Sequence, residues 1–188
     1  MIHTDVYGLV LAGGRSVRMG TDKGLLDYKG KPQREHAFDL LSSICERVFT
    51  SCRTEQNVPG SLHPIADKFD YSGPLNGILS GMQTHPDKAW LIIAVDMPFV
   101  DLAALEFLLN KRDKSKFATC FLHEAENFPE PLLTLWEPSA YPQLLAYAAA
   151  GNISPRIFLE SNPVKIVKPA DKKVLLNINY PKDTGPLL

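Results

Sequence analysis

Cysteine, net charge and long apolar runs are all scarce in this chain of 188 residues. Its three cysteines, Cys45, Cys52 and Cys120, are odd in number and have no C-x-x-C spacing, which argues against both a disulfide framework and a zinc site. The formal net charge is -1, so no global field attracts nucleic acid or a membrane surface. We therefore expect reduced, half-buried thiols, and we expect neither nucleic acid nor membrane among the partners.

Targeting signals and hydrolase motifs are absent too. Residues 1–14 have no basic leader, and the apolar run at 90–100 is interrupted by Asp96, so the sequence predicts a cytoplasmic protein. The five histidines form no H-E-x-x-H motif, and no G-x-S-x-G is present, which disfavours metallohydrolase and serine-hydrolase chemistry. A chain of this length is most simply one domain, spanning residues 1–188.

Apolar runs and one-sided helical patterns alternate along the chain. Strands are predicted at 5–11, 47–52, 61–67, 89–96, 117–123, 132–136, 164–167 and 174–179, and helices at 31–45, 73–85, 101–112, 138–152 and 154–161. A polar, proline-broken loop is expected at 125–131. Asp101 and Ser154 are expected to cap their helices, basic residues to occupy the last turn of helix 101–112, and Gly151 to end helix 138–152. This order predicts an α/β layer structure with a largely parallel sheet.

Glycine and positive charge are concentrated in one segment, "LAGGRSVRMGTDKG" at 11–24, directly after the first predicted strand. Gly13 and Gly14 have no Cβ to block an approaching anion, and Arg15, Arg18 and Lys23 supply positive charge. The segment matches neither G-x-G-x-x-G nor a Walker loop. Its spacing fits a polyphosphate cradle, and it equally fits a flexible surface turn with solvated cations.

Asp96 ends the most apolar strand of the chain. Ligands of such sheets bind beyond the carboxyl ends of the strands, and a lone acid there suits Mg²⁺, which takes one or two carboxylates plus phosphate oxygens. The alternative is that Asp96 caps the following turn. Asn177 and Asn179, at the end of the last predicted strand, could complete a metal shell or fix the strand end.

Several motifs together resemble the MobA-like nucleotidyltransferases, and within them the molybdenum cofactor guanylyltransferases. The stretches that carry the resemblance, in family order, are "LAGGRSVRMGTDKGLL", "GKP", "YSGPLNGILSGMQ", "VDMPFV", "EPLLTLW" and "NINYPKD". The resemblance implies a three-layer α/β/α Rossmann-like sandwich with a mostly parallel mixed sheet. It also implies Mg²⁺-dependent transfer of GMP from GTP to molybdopterin, with release of pyrophosphate.

The resemblance assigns roles to individual residues. The residues that it places against GTP are Leu11, Ala12, Gly13, Gly14, Lys23, Asp67 and Asp96. Arg18, Lys23 and Asp96 would be catalytic, and Asp96 and Asn179 would hold the metal. Asp67 matches the aspartate on the guanine side, and Gly13 favours GTP because the cytidylyl branch carries L-A-A-G.

This sequence departs from the family pattern at several positions. Ser51 stands where the family commonly has Asn, and Tyr180 and Lys182 replace the usual Thr and Glu of N-x-N-T-P-E. Gln33 and Arg34 are more polar than usual after "GKP", and we expect them to lie on a surface helix turn.

The acceptor half is predicted more coarsely than the nucleotide half. The nucleotide part covers about 1–110 and the acceptor part about 111–188, where loops 123–131 and 151–156 would hold the pterin. Arg156 could pair with the acceptor phosphate, or it could pair on a helix surface. The expected partners are GTP and molybdopterin as substrates, with molybdoenzyme maturation proteins in addition, and the expected state is a monomer. The alternatives are a transferase that uses CTP or a sugar phosphate, a non-catalytic nucleotide-binding regulator, and a purely structural interaction protein.

Overall fold

A computed structural model of the chain describes residues 2–13, 23–27, 30–124 and 126–178, with the side chain of Lys23 excluded. The described residues form seven strands, namely β1 (His3–Leu11), β2 (Cys45–Cys52), β3 (Pro64–Ala66), β4 (Ala89–Ala94), β5 (Ala118–His123), β6 (Phe128–Trp136) and β7 (Lys165–Val167). They also form five α-helices, namely α1 (Gln33–Ser42), α2 (Pro74–Thr84), α3 (Leu102–Asn110), α4 (Ala140–Ala149) and α5 (Pro155–Ser161). Three short 3-10 helices lie at Lys23–Leu25, Gly60–Leu62 and Lys172–Leu175.

The seven strands make one mixed sheet in the order β3-β2-β1-β4-β6-β5-β7. Neighbouring strands are parallel except that β6 runs antiparallel to both β4 and β5. α1 and α3 cover one face of the sheet, and α2, α4 and α5 cover the other. The predicted three-layer sandwich with a mostly parallel mixed sheet is therefore confirmed.

The core is centred on β1 and β4, the two strands whose apolar residues run without alternation. All six residues of β4 are buried, as are the last six of β1, because helices cover both faces there. Trp90 of β4 opposes Trp136 of β6, and both indoles are fully buried. Because β1 and β4 are parallel neighbours, their carboxyl ends lie side by side at one edge of the sheet.

The helix boundaries follow local signals in the sequence. The side chain of Asp101 accepts a hydrogen bond from the amide of Ala104 at 2.8 Å, and Ser154 accepts from Ile157 at 3.3 Å, so both predicted caps are confirmed. Gly151 follows α4 with φ of 86°, the left-handed conformation that glycine adopts most easily.

Four local predictions are wrong. Segment 174–179 is not a strand where it is described: a 3-10 helix ends at Leu175, and 176–178 are irregular. The expected loop at 125–131 is mostly strand, because β6 begins at Phe128. α3 ends at Asn110, so the expected basic last turn lies beyond the helix. Gln33 and Arg34 are buried at the start of α1, not exposed on its surface.

The cysteines are more deeply buried than expected, and all three are free thiols. Burial raises the pKa of Cys45 and of Cys120 to about 12, which makes both thiols inert at neutral pH. No helix within the described residues has both the length and the apolar character needed to cross a bilayer.

Candidate nucleotide site at the carboxyl edge of the sheet

The chain leaves β1 between two neighbouring strands and is held there on both sides. The amide of Ala12 donates to the carbonyl of Ser51 on β2 at 3.0 Å, and the amide of Val95 donates to the carbonyl of Leu11 at 3.2 Å. In the sheet, β1 lies between β2 and β4. The carboxyl ends of β1 and β4 therefore border a topological switch point, where ligands of α/β sheets bind.

Gly13 lies next to the ends of β2 and β3. A Cβ on this residue would be 3.6 Å from the amide nitrogen of Arg53 and 3.7 Å from Oδ2 of Asp67, which is ordinary van der Waals contact. The described residues thus leave room for a methyl group at position 13. The glycine instead keeps open a space bordered by a backbone amide and a carboxylate, as close approach of a ligand would require.

Gln56 ties the end of β1 to the end of β2. Its Nε2 donates to the carbonyl of Ala12 at 2.9 Å, and its Oε1 accepts from the amide of Arg53 at 3.3 Å. The side-chain amide acts here like a peptide group and extends the β1–β2 pairing beyond the last strand residue. Sequence reasoning missed this residue, because nothing in the polar loop marks it out.

Asp67 follows β3 and is half-buried. Its amide donates to the carbonyl of Cys52 at 2.9 Å, which fixes its backbone against β2. Burial and the nearby carboxylate of Glu55 raise the pKa of Asp67, and the charge of Arg53 partly opposes them. Arg53 forms an ion pair with Glu55 at 2.8 Å.

The start of α2 packs directly on the ends of β1 and β2. A Cβ on Gly77 would collide with Oγ of Ser51 and would lie 2.9 Å from Cδ2 of Leu11. Asn76 holds the preceding loop, since its Nδ2 donates to the carbonyl of Tyr71 at 3.1 Å and its Oδ1 accepts from the amide of Phe69 at 3.3 Å. Here a missing Cβ is a packing requirement, unlike at Gly13.

Asp96 lies just beyond β4 and is partly exposed. Its carbonyl accepts a hydrogen bond from the amide of Ile178 at 2.8 Å, so the carboxyl-terminal segment lies against it. Asn177, which precedes Ile178 in the chain, is exposed. No cluster of three or more His, Cys, Asp or Glu that could hold a metal ion is found in the described ranges.

The structure brings some of the predicted site residues together. Leu11, Ala12, Gly13 and Asp67 lie at neighbouring strand ends, and Asp96 lies at the end of β4 on the other side of β1. Gly14, Arg18 and Asn179 lie outside the described residues. Lys23 is the first residue of the first 3-10 helix, and only its backbone is described.

A second group of polar residues lies in segment 123–131, which the sequence assigned to the acceptor without naming single residues. His123 ends β5, and its Nε2 lies 2.7 Å from Oε2 of Glu130 on β6. Oε1 of the same carboxylate accepts from the amide of Leu132 at 2.6 Å. The pairing of His123 with Glu130 was not predicted, because it depends on β6 beginning at Phe128 beside the end of β5.

Gly13 and Asp67, with Asp96 across the switch point, lie where α/β enzymes bind their ligands, and the class of this enzyme is that of the nucleotidyltransferases. The family model for the MobA-like NTP transferase domain matches residues 8–165. The chain belongs to this family, and the resemblance inferred from the motifs is confirmed.

Individual relatives match over most of the chain. A molybdenum cofactor biosynthesis bifunctional protein from Synechocystis is 36% identical over 190 residues, which cover 98% of this chain but only 54% of that protein. The molybdenum cofactor guanylyltransferase of Pseudomonas fluorescens is 31% identical and is covered to 89%, against 93% of this chain. The crystal structure of molybdopterin-guanine dinucleotide biosynthesis protein A from Archaeoglobus fulgidus has a TM-score of 0.81 at 26% identity, with 96% of each chain covered.

Proposed function

We propose that this chain transfers GMP from GTP to the terminal phosphate of molybdopterin and releases pyrophosphate. The observation that carries the proposal is its similarity to the guanylyltransferases over nearly their whole length. The chain spans about half of the bifunctional relative, and we assign to it the transferase activity alone. The roles of single residues below are part of the proposal.

The nucleotide half of the site is formed by the ends of β1, β2 and β3. Leu11 to Gly13 would lie against the nucleoside, and Asp67 would accept hydrogen bonds from the N–H groups of guanine. Two observations support this: the space beside Gly13 is bordered by Oδ2 of Asp67, and Gln56 holds the backbone of Ala12 in place. Lys23 and Arg18 would hold the phosphates, as the charge of the segment 11–24 suggests.

The donor set at β4 fits a divalent cation, which nucleotidyltransferases generally use, and we propose Mg²⁺. Asp96 offers one carboxylate beyond the end of β4, and Mg²⁺ commonly combines one or two carboxylates with phosphate oxygens. Asn179 would be the second protein ligand, which agrees with the contact between Ile178 and Asp96. When bound, the ion supplies neutralisation of negative charge on the phosphates.

The transfer depends on aligning the acceptor phosphate with the α-phosphorus of GTP and does not require a general base. The acceptor phosphate is already ionised near neutral pH, so one of its oxygens can attack the α-phosphorus of GTP without losing a proton. The bond from the α-phosphorus to the bridging oxygen breaks, and pyrophosphate leaves with the electron pair. Arg18 and Lys23 would stabilise the charge on the departing pyrophosphate.

We also propose a division of the single domain into two functional parts. Residues 1–110 supply β1 to β4 and would form the nucleotide part, and residues 111–188 would form the acceptor part. We propose that GTP and molybdopterin are the substrates, that the enzyme acts in the cytoplasm as a monomer, and that it passes its product to molybdoenzyme maturation proteins.

Pyrophosphate release with molybdopterin, Mg²⁺ and each nucleoside triphosphate in turn tests this function. We expect release with GTP, and release with CTP alone would contradict the guanylyl assignment.

Asp96→Asn should abolish release of pyrophosphate. The control is Asp87→Asn, at an exposed aspartate on the opposite edge of the sheet, which should leave release unchanged. Turnover that survives in Asp96→Asn would contradict the metal site. A protein that binds Mg-GTP without turnover would instead be a nucleotide-binding regulator, and one whose Tm does not respond to Mg-GTP would be a structural protein.

A further inference from the structure

Four side chains form a group at the carboxyl edge of the sheet on the far side of Asp96. We call His123, Phe128, Glu130 and Arg156 the β5–β6 cluster. His123 ends β5 and directly opposes Phe128 at the start of β6, and their ring centroids are 4.5 Å apart. The guanidinium of Arg156 on α5 lies 5.0 Å from the centroid of Phe128.

The strand order places this cluster opposite the nucleotide half. Gly13 and Asp67 belong to the ends of β1 and β3, whereas β6 and β5 follow β4 in the other direction. Ile93 of β4 opposes Leu133 of β6, so the amino end of β6 reaches the edge at which Asp96 lies. Two strand spacings of ~4.8 Å separate β5 from β4, so the end of β5 lies about 10 Å along the edge from the line of β4.

Glu130 is a buried carboxylate that fixes the imidazole of His123. The side chain of Glu130 is 3% exposed, and its two oxygens contact Leu132 N and His123 Nε2 at 2.6 and 2.7 Å. The imidazole of His123 remains 21% exposed. A carboxylate that is held from behind by a backbone amide orients the ring as the second partner of a binding histidine commonly does.

Arg156 is held in place while its charge stays accessible. Its guanidinium rests on the ring of Phe128, and its contact with Glu160 is long at 3.6 Å, with the arginine side chain 49% exposed. An exposed pair of this kind contributes little free energy, so a ligand can compete for the guanidinium. Nearby Glu124 is already paired with Lys168 and Lys172 at 2.8 and 2.6 Å.

We propose that the β5–β6 cluster binds the fused-ring end of the acceptor. The inference rests on the proposed function, because it takes the acceptor to be a phosphorylated heterocycle. The acceptor phosphate has to meet the α-phosphate of GTP near Asp96, and GTP fills the β1–β3 side. The rings therefore extend along β6 and β5, where His123 and Arg156 hydrogen-bond to ring heteroatoms and Glu130 is a positioning residue.

Steady-state kinetics with molybdopterin and GTP test the assignment. We expect His123→Gln, Arg156→Ala and Glu130→Gln each to raise the KM for molybdopterin about fivefold or more, with the KM for GTP unchanged. Arg47→Ala is the matched control, because Arg47 also lies over a phenylalanine, 5.4 Å from the centroid of Phe49, near the amino end of β2. His3→Gln is the control for the imidazole. An unchanged KM for molybdopterin, or an equal rise in both KM values, would overturn the inference and leave the transferase assignment intact.

A direct titration separates this inference from the proposed function. 6-Hydroxymethylpterin is a fluorescent fused-ring compound without a phosphate, and we expect wild-type protein to quench it and the three variants to bind it at least about fivefold more weakly. If quenching depends on these residues but no pyrophosphate is released with molybdopterin, the result supports the ring subsite and contradicts the proposed transfer reaction. If neither quenching nor turnover is found, both are wrong.

Discussion

Single polar side chains hold the strand ends together at the proposed nucleotide half of the site. Gln56 is the clearest case, since its amide donates to Ala12 at 2.9 Å and accepts from Arg53 at 3.3 Å without belonging to any strand. Neither its type nor its position in a polar loop predicts this role. The function of such a residue depends on where the loop returns to the sheet, which is a tertiary property.

Gln56→Ala should weaken nucleotide binding without touching the chemistry. Loss of one neutral hydrogen bond, worth about 1 kcal/mol, should raise the KM for GTP about fivefold and leave kcat unchanged. Gln83→Ala on the exposed side of α2 is the matched control. Hydrogen exchange should report faster exchange at the amide of Ala12, which donates to Ser51, and a fall in kcat with an unchanged KM would contradict the positioning role.

Asp67 illustrates a conflict between stability and function. Burial and then Glu55 raise its pKa in the folded protein, so the ionised carboxylate costs folding free energy above that pKa. The cost disappears as the pH falls through the folded pKa towards the ordinary value of 3.8, because both states are then protonated.

Asp67→Asn should therefore raise Tm at pH 7, and its advantage should shrink as the pH is lowered towards 4. The same change should weaken GTP binding by ~10-fold to 100-fold, because a charged acceptor of guanine N–H groups is lost. Thermal unfolding between pH 4 and 8 and a GTP titration measure the two effects. A variant that is less stable at every pH would show that the carboxylate is stabilising.

At the scale of elements, continuous apolar runs and capping residues were reliable, and prolines were misleading. β1 and β4 were predicted because they are buried on both faces, and Asp101 and Ser154 because their side chains replace missing backbone partners. The start of β6 was missed because Pro129 and Pro131 read as a loop. Pro131 falls where the β5–β6 register shifts, and both prolines lie before Leu133, where the pairing of β6 with β4 begins.

The last strand prediction failed for the opposite reason. The residues "VLLNIN" carry a strand-like pattern, but Val174, Leu175 and Ile178 are buried through a 3-10 turn and an irregular segment. The segment has no strand partner among the described residues, and its contact is instead with the carbonyl of Asp96. Periodicity alone cannot distinguish these two ways of burying the same apolar residues.

The packing of α2 on β1 and β2 gives a prediction at this scale. Gly77→Ala places a methyl group against Oγ of Ser51 and Cδ2 of Leu11, so it should lower the free energy of unfolding by about 1–3 kcal/mol. Because Leu11 lies at the site, the KM for GTP should rise as well. Urea denaturation measures the first effect and kinetics the second.

Two further variants test the cause at Gly77. Adding Ser51→Gly to Gly77→Ala removes the obstructing hydroxyl and should recover part of the lost stability, in a double-mutant cycle. Gly60→Ala, where an added Cβ meets nothing within 4 Å, should have little effect. If the cycle shows no coupling between 51 and 77, the steric explanation fails.

Across the whole molecule, the two edges of the sheet have different tasks. The carboxyl edge carries the proposed site, whereas the amino edge is joined by an ion-pair network from three distant parts of the chain. Arg112, just after α3, forms a bidentate pair with Glu137 at 2.6 and 2.8 Å and contacts Asp5 at 2.8 Å. Lys114 also contacts Asp5 at 2.7 Å. Neither the network nor its position could be predicted from residues so far apart in sequence.

Glu137→Gln should therefore lower the stability of the protein and leave its activity unchanged. The side chains of Arg112 and Glu137 are only 11% and 3% exposed, so removing one charge leaves a buried guanidinium poorly compensated and should cost about 3 kcal/mol of unfolding free energy. Lys114→Ala, at a side chain that is 70% exposed, should change stability by less than about 0.5 kcal/mol. Well below the melting temperature both variants should keep the wild-type kcat and KM, since the pair is at the edge opposite Asp96. Denaturant unfolding and steady-state kinetics on the same preparations check this, and a loss of activity in Glu137→Gln at unchanged stability would mean that the two edges are coupled.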